Sequence, residues 1–342
     1  MSSGPLLIDQ SHRPVYSVTG ADTADLLNRL LSQKVEDLPA GESTEALNLD
    51  AQGHILQDLF VTRSADGSTY YFDASPDQAP AFAEYLEAMK FWSDATIQEN
   101  DLAVLTVLGP GSLSLPDGAL TRRIPWHGSG RIDALLPRAE LTGAVATLEE
   151  QGATLAGLMA FTAERVQRCV PELSLDLDGK SIPHEVQQWI VHPELAWKET
   201  PSMPAALRDR TLPGAVHLHK GCYRGQETVA RVENLGRSPR ALVLLQLDGS
   251  VPELPKTGDP ISAAGGKRTL GRLGTVVTDC DYGPIALGLV KRSALTEDAC
   301  QGTVLRSGDC ALAVDRDSLP QNIGTQAGRD AVDKLRGRRP EA

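Results

Sequence analysis

Two hydrophobic periods alternate along the first half of the chain. Val15–Val18 is a short apolar run that stops at Gly20. Ala21–Leu31 then places Ala24, Leu27, Leu30 and Leu31 at helical spacing, with Asp22 or Thr23 available as a cap. Glu45–Leu49 and Leu56–Thr62 read as strands around the turn Asp50–Gly53, and Thr69–Phe72 follows the turn signal Asp66–Gly67. Ala79–Lys90 returns to helical spacing through Phe82, Leu86 and Met89. Ala103–Leu108 is a continuous apolar strand ended by Gly109–Pro110. The order β-α-β-β-β-α-β predicts a mixed α+β region and not a doubly wound parallel sheet.

The middle of the chain repeats this mixture. Ile132–Leu135 reads as a strand, Glu140–Gln151 and Leu155–Val170 as helices, and Pro171 closes the second. Residues 192–213 carry Pro193, Pro201, Pro204 and Pro213, which predicts an extended excursion. From Arg240 the period changes to short strands: Ala241–Leu247, Pro260–Ala263, Arg272–Thr278, Ile285–Val290, Thr303–Arg306 and Ala311–Val314. Gly/Asp turns separate them, the pattern of a small β-barrel or sandwich. The predicted domains are 1–238, 239–318 and a polar, locally basic tail, 319–342.

Composition narrows the function. The 342 residues carry 45 acidic and 33 basic side chains, a net charge of −12. Nucleic acids and anionic membranes attract a positive field, so neither is an expected partner through net charge, although a local basic pocket is allowed. No apolar run approaches the roughly 20 residues of a membrane span. The opening MSSGPLLIDQSHRP lacks the layout of a secretory signal. The cysteines, Cys169, Cys222, Cys280, Cys300 and Cys310, are odd in number and show no CxxC spacing. A disulfide framework is not expected, and a reducing cytoplasm is.

The candidate chemistry lies in Lys220-Gly221-Cys222-Tyr223-Arg224-Gly225-Gln226-Glu227. Ala215–His219 alternates like a strand, Gly221 and Gly225 permit a tight turn, and Gln226–Leu235 has helical spacing with Gly236 as its stop. Lys220 and Arg224 flank Cys222, and a helix N-terminus follows. Both features favour a reactive thiolate, although a lone cysteine is more often a small buried hydrophobe. His217, His219 and Cys222 are a weaker candidate metal trio without an evident fourth ligand, and no metal is predicted. Gly265–Gly274 lacks the order of a phosphate loop and reads as a hairpin.

This octapeptide resembles the signature of the YgfZ family, folate-binding proteins associated with iron–sulfur cluster assembly or repair. That family is related to the aminomethyltransferase (GcvT, or T-protein) of the glycine cleavage system. Further similarities lie in Ser17–Asp22, Gly53–Asp58, Asp73-Ala-Ser75, Leu108–Pro110, Arg165–Pro171 and Ile182–Glu185. The resemblance implies a folate-binding N-terminal region of mixed subdomains in a ring-like arrangement, followed by a C-terminal antiparallel β-barrel. It implies tetrahydrofolate or a derivative as cofactor. It also implies roles for Cys222 and Lys220 in catalysis and for Asp73 and Gln167 in folate binding, while Arg165 and Arg231 are candidate cations for the dianionic folate tail, or else members of structural ion pairs. Iron–sulfur proteins or their assembly machinery are the implied partners.

Two departures separate the chain from the T-protein. The catalytic Asp expected about five residues after Ser75 is missing from Pro76-Asp77-Gln-Ala-Pro80, and Gln167 stands where the T-protein has Glu. A carboxylate can accept two N–H bonds from a pterin edge, whereas an amide offers one acceptor and a donor. A genuine aminomethyltransferase is therefore not expected. Tyr70, Tyr71, Trp92, Trp126, Trp189 and Tyr223 are the aromatic candidates for a pterin slot. Three readings stay open: thiol chemistry serving iron–sulfur enzymes, aminomethyl transfer, and a folate-binding scaffold without chemistry.

Overall fold

The computed structural model describes residues 4–124, 126, 130–190, 214–266 and 268–320. The predicted excursion at 192–213 and nearly all of the tail lie outside the described residues. Two compact units divide the chain. One takes the chain up to Leu49, Leu56–Phe161 and the stretch ending at Arg224. The other takes Asp50–Ile55, residues 162–190 and the chain from Gly225 on. The division thus falls within the predicted 1–238 region. No helix among the described residues is long and apolar enough to cross a membrane.

The first unit is built on two five-stranded sheets, of order β10-β1-β7-β9-β8 and β3-β4-β5-β2-β6. In the first sheet β7 (Leu102–Leu108) is central, because its apolar run suits burial on both faces. It pairs antiparallel with β1 (Leu6–Asp9) and β9 (Arg131–Pro137). β8 (Leu120–Ile124) and the three-residue β10 (Thr154–Ala156) form the edges. Helix α3 (Leu141–Glu150) packs Ala144 and Leu148 against Leu7, Leu105 and Val107.

The second sheet comprises β2 (Val15–Thr19), β3 (Ser43–Leu49), β4 (Ile55–Arg63), β5 (Thr69–Asp73) and β6 (Thr96–Asn100). Helices α1 (Thr23–Leu30) and α2 (Gln78–Met89) share a core with it, through Leu26, Leu27, Phe82 and Leu86 against Leu59, Val61 and Phe72.

Val15 meets Val104 and Leu135 across the two sheets. Beside this contact lies a buried ionic bridge. Asp73, at the end of β5, accepts two hydrogen bonds from Arg122 on β8, that to Oδ2 at 3.1 Å, and one from Arg13 Nε at 2.8 Å. Arg122 also donates to Asp133 Oδ2, which sits on β9 and is held bidentately by Arg131 at 2.9 Å. Thr106 Oγ donates to Asp133 Oδ1 at 2.7 Å. The ring of Phe60 lies 4.4 Å from the Arg122 guanidinium carbon. Burial alone would push both carboxyls up. The adjacent guanidiniums outweigh it and hold Asp73 and Asp133 below the usual carboxylate range.

The second unit contains a closed barrel, β11-β14-β13-β12-β15-β16. Its strands are β11 (Arg240–Leu247), β12 (Pro260–Ala263), β13 (Thr269–Asp279), β14 (Gly283–Lys291), β15 (Leu305–Ser307) and β16 (Cys310–Val314). Val243, Leu245, Ile261, Leu273 and Leu312 fill it, and Gly265–Gly274 is part of the expected hairpin. Helix α4 (Leu158–Gln167) enters this unit at Thr162 and is followed by α5 (Leu173–Asp176). The predicted helix Leu155–Val170 is therefore too long at its start. Thr154–Ala156 pairs instead as a parallel strand with β1, where backbone pairing overrides the local helical spacing. At the far end Cys169 takes a φ of 54° and closes the helix, with the Val170 N–H donating to Arg165 O.

Two expected outcomes follow from the bridge. Arg122→Leu leaves two buried carboxylates short of a partner and lowers unfolding free energy in urea by about 3–5 kcal/mol. Arg138→Ala, which breaks an exposed pair with Asp101, changes it by less than about 1 kcal/mol. Because the folded-state carboxyl pKa values are depressed, their stabilisation is complete above the unfolded value of about 4 and is lost as pH falls below it. Urea midpoints measured from pH 7 to pH 2.5 are expected to be flat and then to drop below about pH 4.

Candidate functional site

The chain from Gly214 to Lys220 is laced to the loop after α1. Ser32 Oγ donates to Ala215 O at 2.6 Å and accepts the Leu47 N–H at 2.9 Å. The Gln33 amide donates to Gly214 O, and the His217 N–H donates to Ser32 O at 3.0 Å. These bonds, made partly by side chains, replace a strand ladder, so the predicted strand Ala215–His219 is absent.

Lys220 completes the attachment. Its ammonium donates to Asn28 O (2.6 Å), Leu31 O (2.6 Å) and Gln33 O (2.8 Å), and the side chain is buried. The C-terminal carbonyls of a helix carry partial negative charge and lack intrahelical donors, so a cation there answers both needs. Burial pushes Lys220 down to about 7, against the opposing pull of Glu36. The Tyr223 ring also points inward, its centroid 5.1 Å from Lys220 Nζ.

Gly221, Cys222 and Arg224 point outward and are exposed. The Arg224 guanidinium rests on Tyr85, with Nη1 donating to its hydroxyl at 3.4 Å. Lys220 and Tyr223 thus anchor a turn that displays the Cys222 thiol. All three Lys220 N–H donors are engaged by carbonyls, so Lys220 holds the turn and has none left for the thiol.

At Gly225 the chain enters the second unit. A φ of 82° there opens α6 (Gln226–Leu235), a conformation glycine adopts freely. Gln226 is half-buried, and the exposed Glu227 pairs with Arg231 one turn on, at 2.7 Å. Within this unit α6 meets the Gly53 motif: Thr228 Oγ donates to Gln52 O at 2.6 Å. A Cβ on Gly53 would lie 2.6 Å from Thr228 Cβ. Two separate sequence motifs therefore converge at one close approach.

The residues assigned to folate are committed to internal bonds. Asp73 belongs to the buried bridge. Arg165 donates to Asp176 (2.7 Å), Thr275 Oγ (2.5 Å) and Val170 O (3.1 Å), pinning α4 to the barrel. Gln167 donates to Asp279 at 2.7 Å, and Arg231 to Glu227. Asp73 and Arg165 are buried with these partners, Gln167 is half-buried, and Arg231 is exposed and could exchange its partner. Of the slot aromatics, Tyr70, Trp126, Trp189 and Tyr223 are buried and Tyr71 is half-buried, while Trp92 stands wholly in solvent.

His217 Nδ1 accepts the His219 N–H at 3.2 Å, and burial with nearby Lys34, His219 and Lys220 holds His217 below its usual pKa. Asp279, Cys280 and Asp281 bring three possible ligand atoms within 4.8 Å at a barrel turn. The Asp279 carboxylate there already accepts the N–H groups of Asp281 and Tyr282.

Sequence reasoning missed Arg13, Arg122, Arg131 and Asp133. Their signal was available: Arg131 and Asp133 sit two apart in an apolar strand, one face of which must then bury charge.

A family model for the GCVT N-terminal domain matches residues 2–122. The tRNA-modifying protein YgfZ of Sodalis glossinidius is 27% identical over 326 residues, 93% of each chain. That of Edwardsiella ictaluri is 28% identical over 86% of each, and that of Escherichia coli O127:H6 25% over 90% of each. The glycine cleavage system aminomethyltransferase T of Bartonella henselae superposes with a TM-score of 0.70 at 20% identity. That match covers 92% of this chain and 86% of the other, and shows the fold. The chain is thus similar over most of its length to the YgfZ proteins and has the fold of the glycine cleavage T-protein.

Proposed function

We propose that this protein binds a folate and supports the assembly or repair of iron–sulfur enzymes, with Cys222 as its reacting group. The observation that carries the reading is the display of Cys222: an exposed thiol on a turn whose neighbours Lys220 and Tyr223 are buried anchors. Cys310, by contrast, is turned inward. Arg224, exposed two residues away, adds a positive charge near the approach to the thiol. Lys220 acts as a positioning residue.

Tetrahydrofolate enters this reading through the family fold, and when bound it would supply a one-carbon carrier. Its dianionic tail calls for cations that are free to meet it. Arg165 is bound to Asp176, which leaves the exposed Arg231 as the better candidate.

The relatives are named for tRNA modification. A chain with a net charge of −12 lacks the field that draws RNA. We therefore place any effect on tRNA at one remove, through an iron–sulfur enzyme that modifies it.

Complementation of a bacterium lacking its own YgfZ protein tests the thiol. Cys222→Ser is expected to return iron–sulfur enzyme activity to the level of the deletion, and full activity would refute the mechanism. Calorimetric titration with tetrahydrofolate tests the ligand separately. Wild type and Cys222→Ala are expected to bind within about threefold of each other, a difference under 1 kcal/mol. Binding together with a dispensable thiol would leave a scaffold, and absence of binding would remove the folate.

A further inference from the structure

Helix α2 ends at Met89, and the chain turns at once through Phe91 with a φ of 43°, the left-handed region that bulky side chains rarely adopt. Phe91 is 75% exposed and Trp92 is 100% exposed. Two adjacent aromatics in water at a strained backbone position need a reason, because burial is their usual contribution to a fold.

The turn is rigidly held. The Ser93 N–H donates to Lys90 O at 2.7 Å and the Asp94 N–H to Asp22 Oδ2 at 2.7 Å. In return Asp94 Oδ2 accepts the Ala21 N–H at 3.2 Å, and Asp94 O accepts the Asp22 N–H at 3.1 Å. Gly20 makes this approach possible, since a Cβ there would lie 2.2 Å from Asp94 O. The clamp ties the turn to the N-terminal end of α1 and fixes the backbone that carries both rings.

The charge around the rings is unbalanced. Asp22, Asp25, Glu87 and Asp94 are exposed, against Arg29 and Lys90, which pair with Asp25 and Glu87. An acidic rim repels anionic lipid headgroups and RNA phosphates. It also disfavours a second copy, which would bring the same acids face to face. It complements a protein surface whose apolar pocket is edged by Lys or Arg.

We propose that Phe91 and Trp92 form a preorganised docking knob for a protein partner that presents an apolar pocket with a basic rim. The fixed backbone lowers the ordering cost of the knob on binding, and exposed aromatics of this kind are the residues that anchor interfaces. The inference is independent of the reading of Cys222.

The test uses a fluorescein-labelled amphipathic helix of leucine and lysine as a stand-in for such a pocket edge, followed by anisotropy with the full chain. The peptide is expected to bind with an affinity that falls with salt. The Phe91→Ser/Trp92→Ser pair is expected to weaken it at least tenfold, and Asp25→Asn/Glu87→Gln about threefold. Phe91→Gly, which suits the left-handed φ, is expected to keep or raise the melting temperature while weakening binding. Equal binding by the double-serine variant would overturn the proposal, as would equal binding of a leucine–glutamate peptide. Preferential binding to phosphatidylserine vesicles would reassign the knob to lipid, and Trp92-dependent dimerisation would reassign it to self-association. Either result would overturn it.

Discussion

The candidate site depends on one buried ammonium. Lys220 gives its three N–H groups to three carbonyls in the last turn of α1 and the loop after it, more than 180 residues earlier in the chain. An ammonium taken from water loses strong solvation, and the drop of its pKa to about 7 records that cost. Three short bonds to carbonyls, two of them at the negative end of a helix dipole, offset it. The bonds made by Ser32, Gln33 and His217 lie alongside. Together they turn a stretch with no strand partner into a fixed support for Cys222.

The same device recurs where the chain must hold its elements together. Asp73, Arg122 and Asp133 join the two sheets of the first unit, and Arg165, Asp176 and Thr275 tie α4 to the barrel in the second. In each hub a buried charge has its partners and its hydrogen bonds satisfied, the condition under which such groups are tolerated. This explains why polar residues within family-like motifs make internal bonds here. Arg165 and Gln167 are spent on the barrel, and Asp73 on the bridge.

Much of the architecture was legible because its signals are local. All six barrel strands lie where short apolar runs meet Gly/Asp turns, and α1 and α2 follow their leucine and phenylalanine spacing. β6 was not legible because Thr-Ile-Gln-Glu-Asn is a largely exposed edge strand, held by pairing with β2 and by Ile97 against the core. β10 has three residues, too few for any period to register, and β8 hides a buried Arg122 in a polar-looking run. The octapeptide predicted a turn at Cys222, and the structure has that residue exposed on one. It could not show that Lys220 faces inward, because its partners are backbone carbonyls distant in sequence and carry no side-chain signature.

Amide hydrogen exchange on Lys220→Met tests the anchor most directly. If Lys220 holds the turn, the His217 amide, bonded to Ser32 O, exchanges about ten to one hundred times faster in the variant, the effect of losing about 1.5–3 kcal/mol of charge-assisted bonding. Amides of the central strand Leu102–Leu108 keep their protection, and Cys222 alkylation changes with the turn. Unchanged protection at His217, with unchanged alkylation of Cys222, would contradict the account.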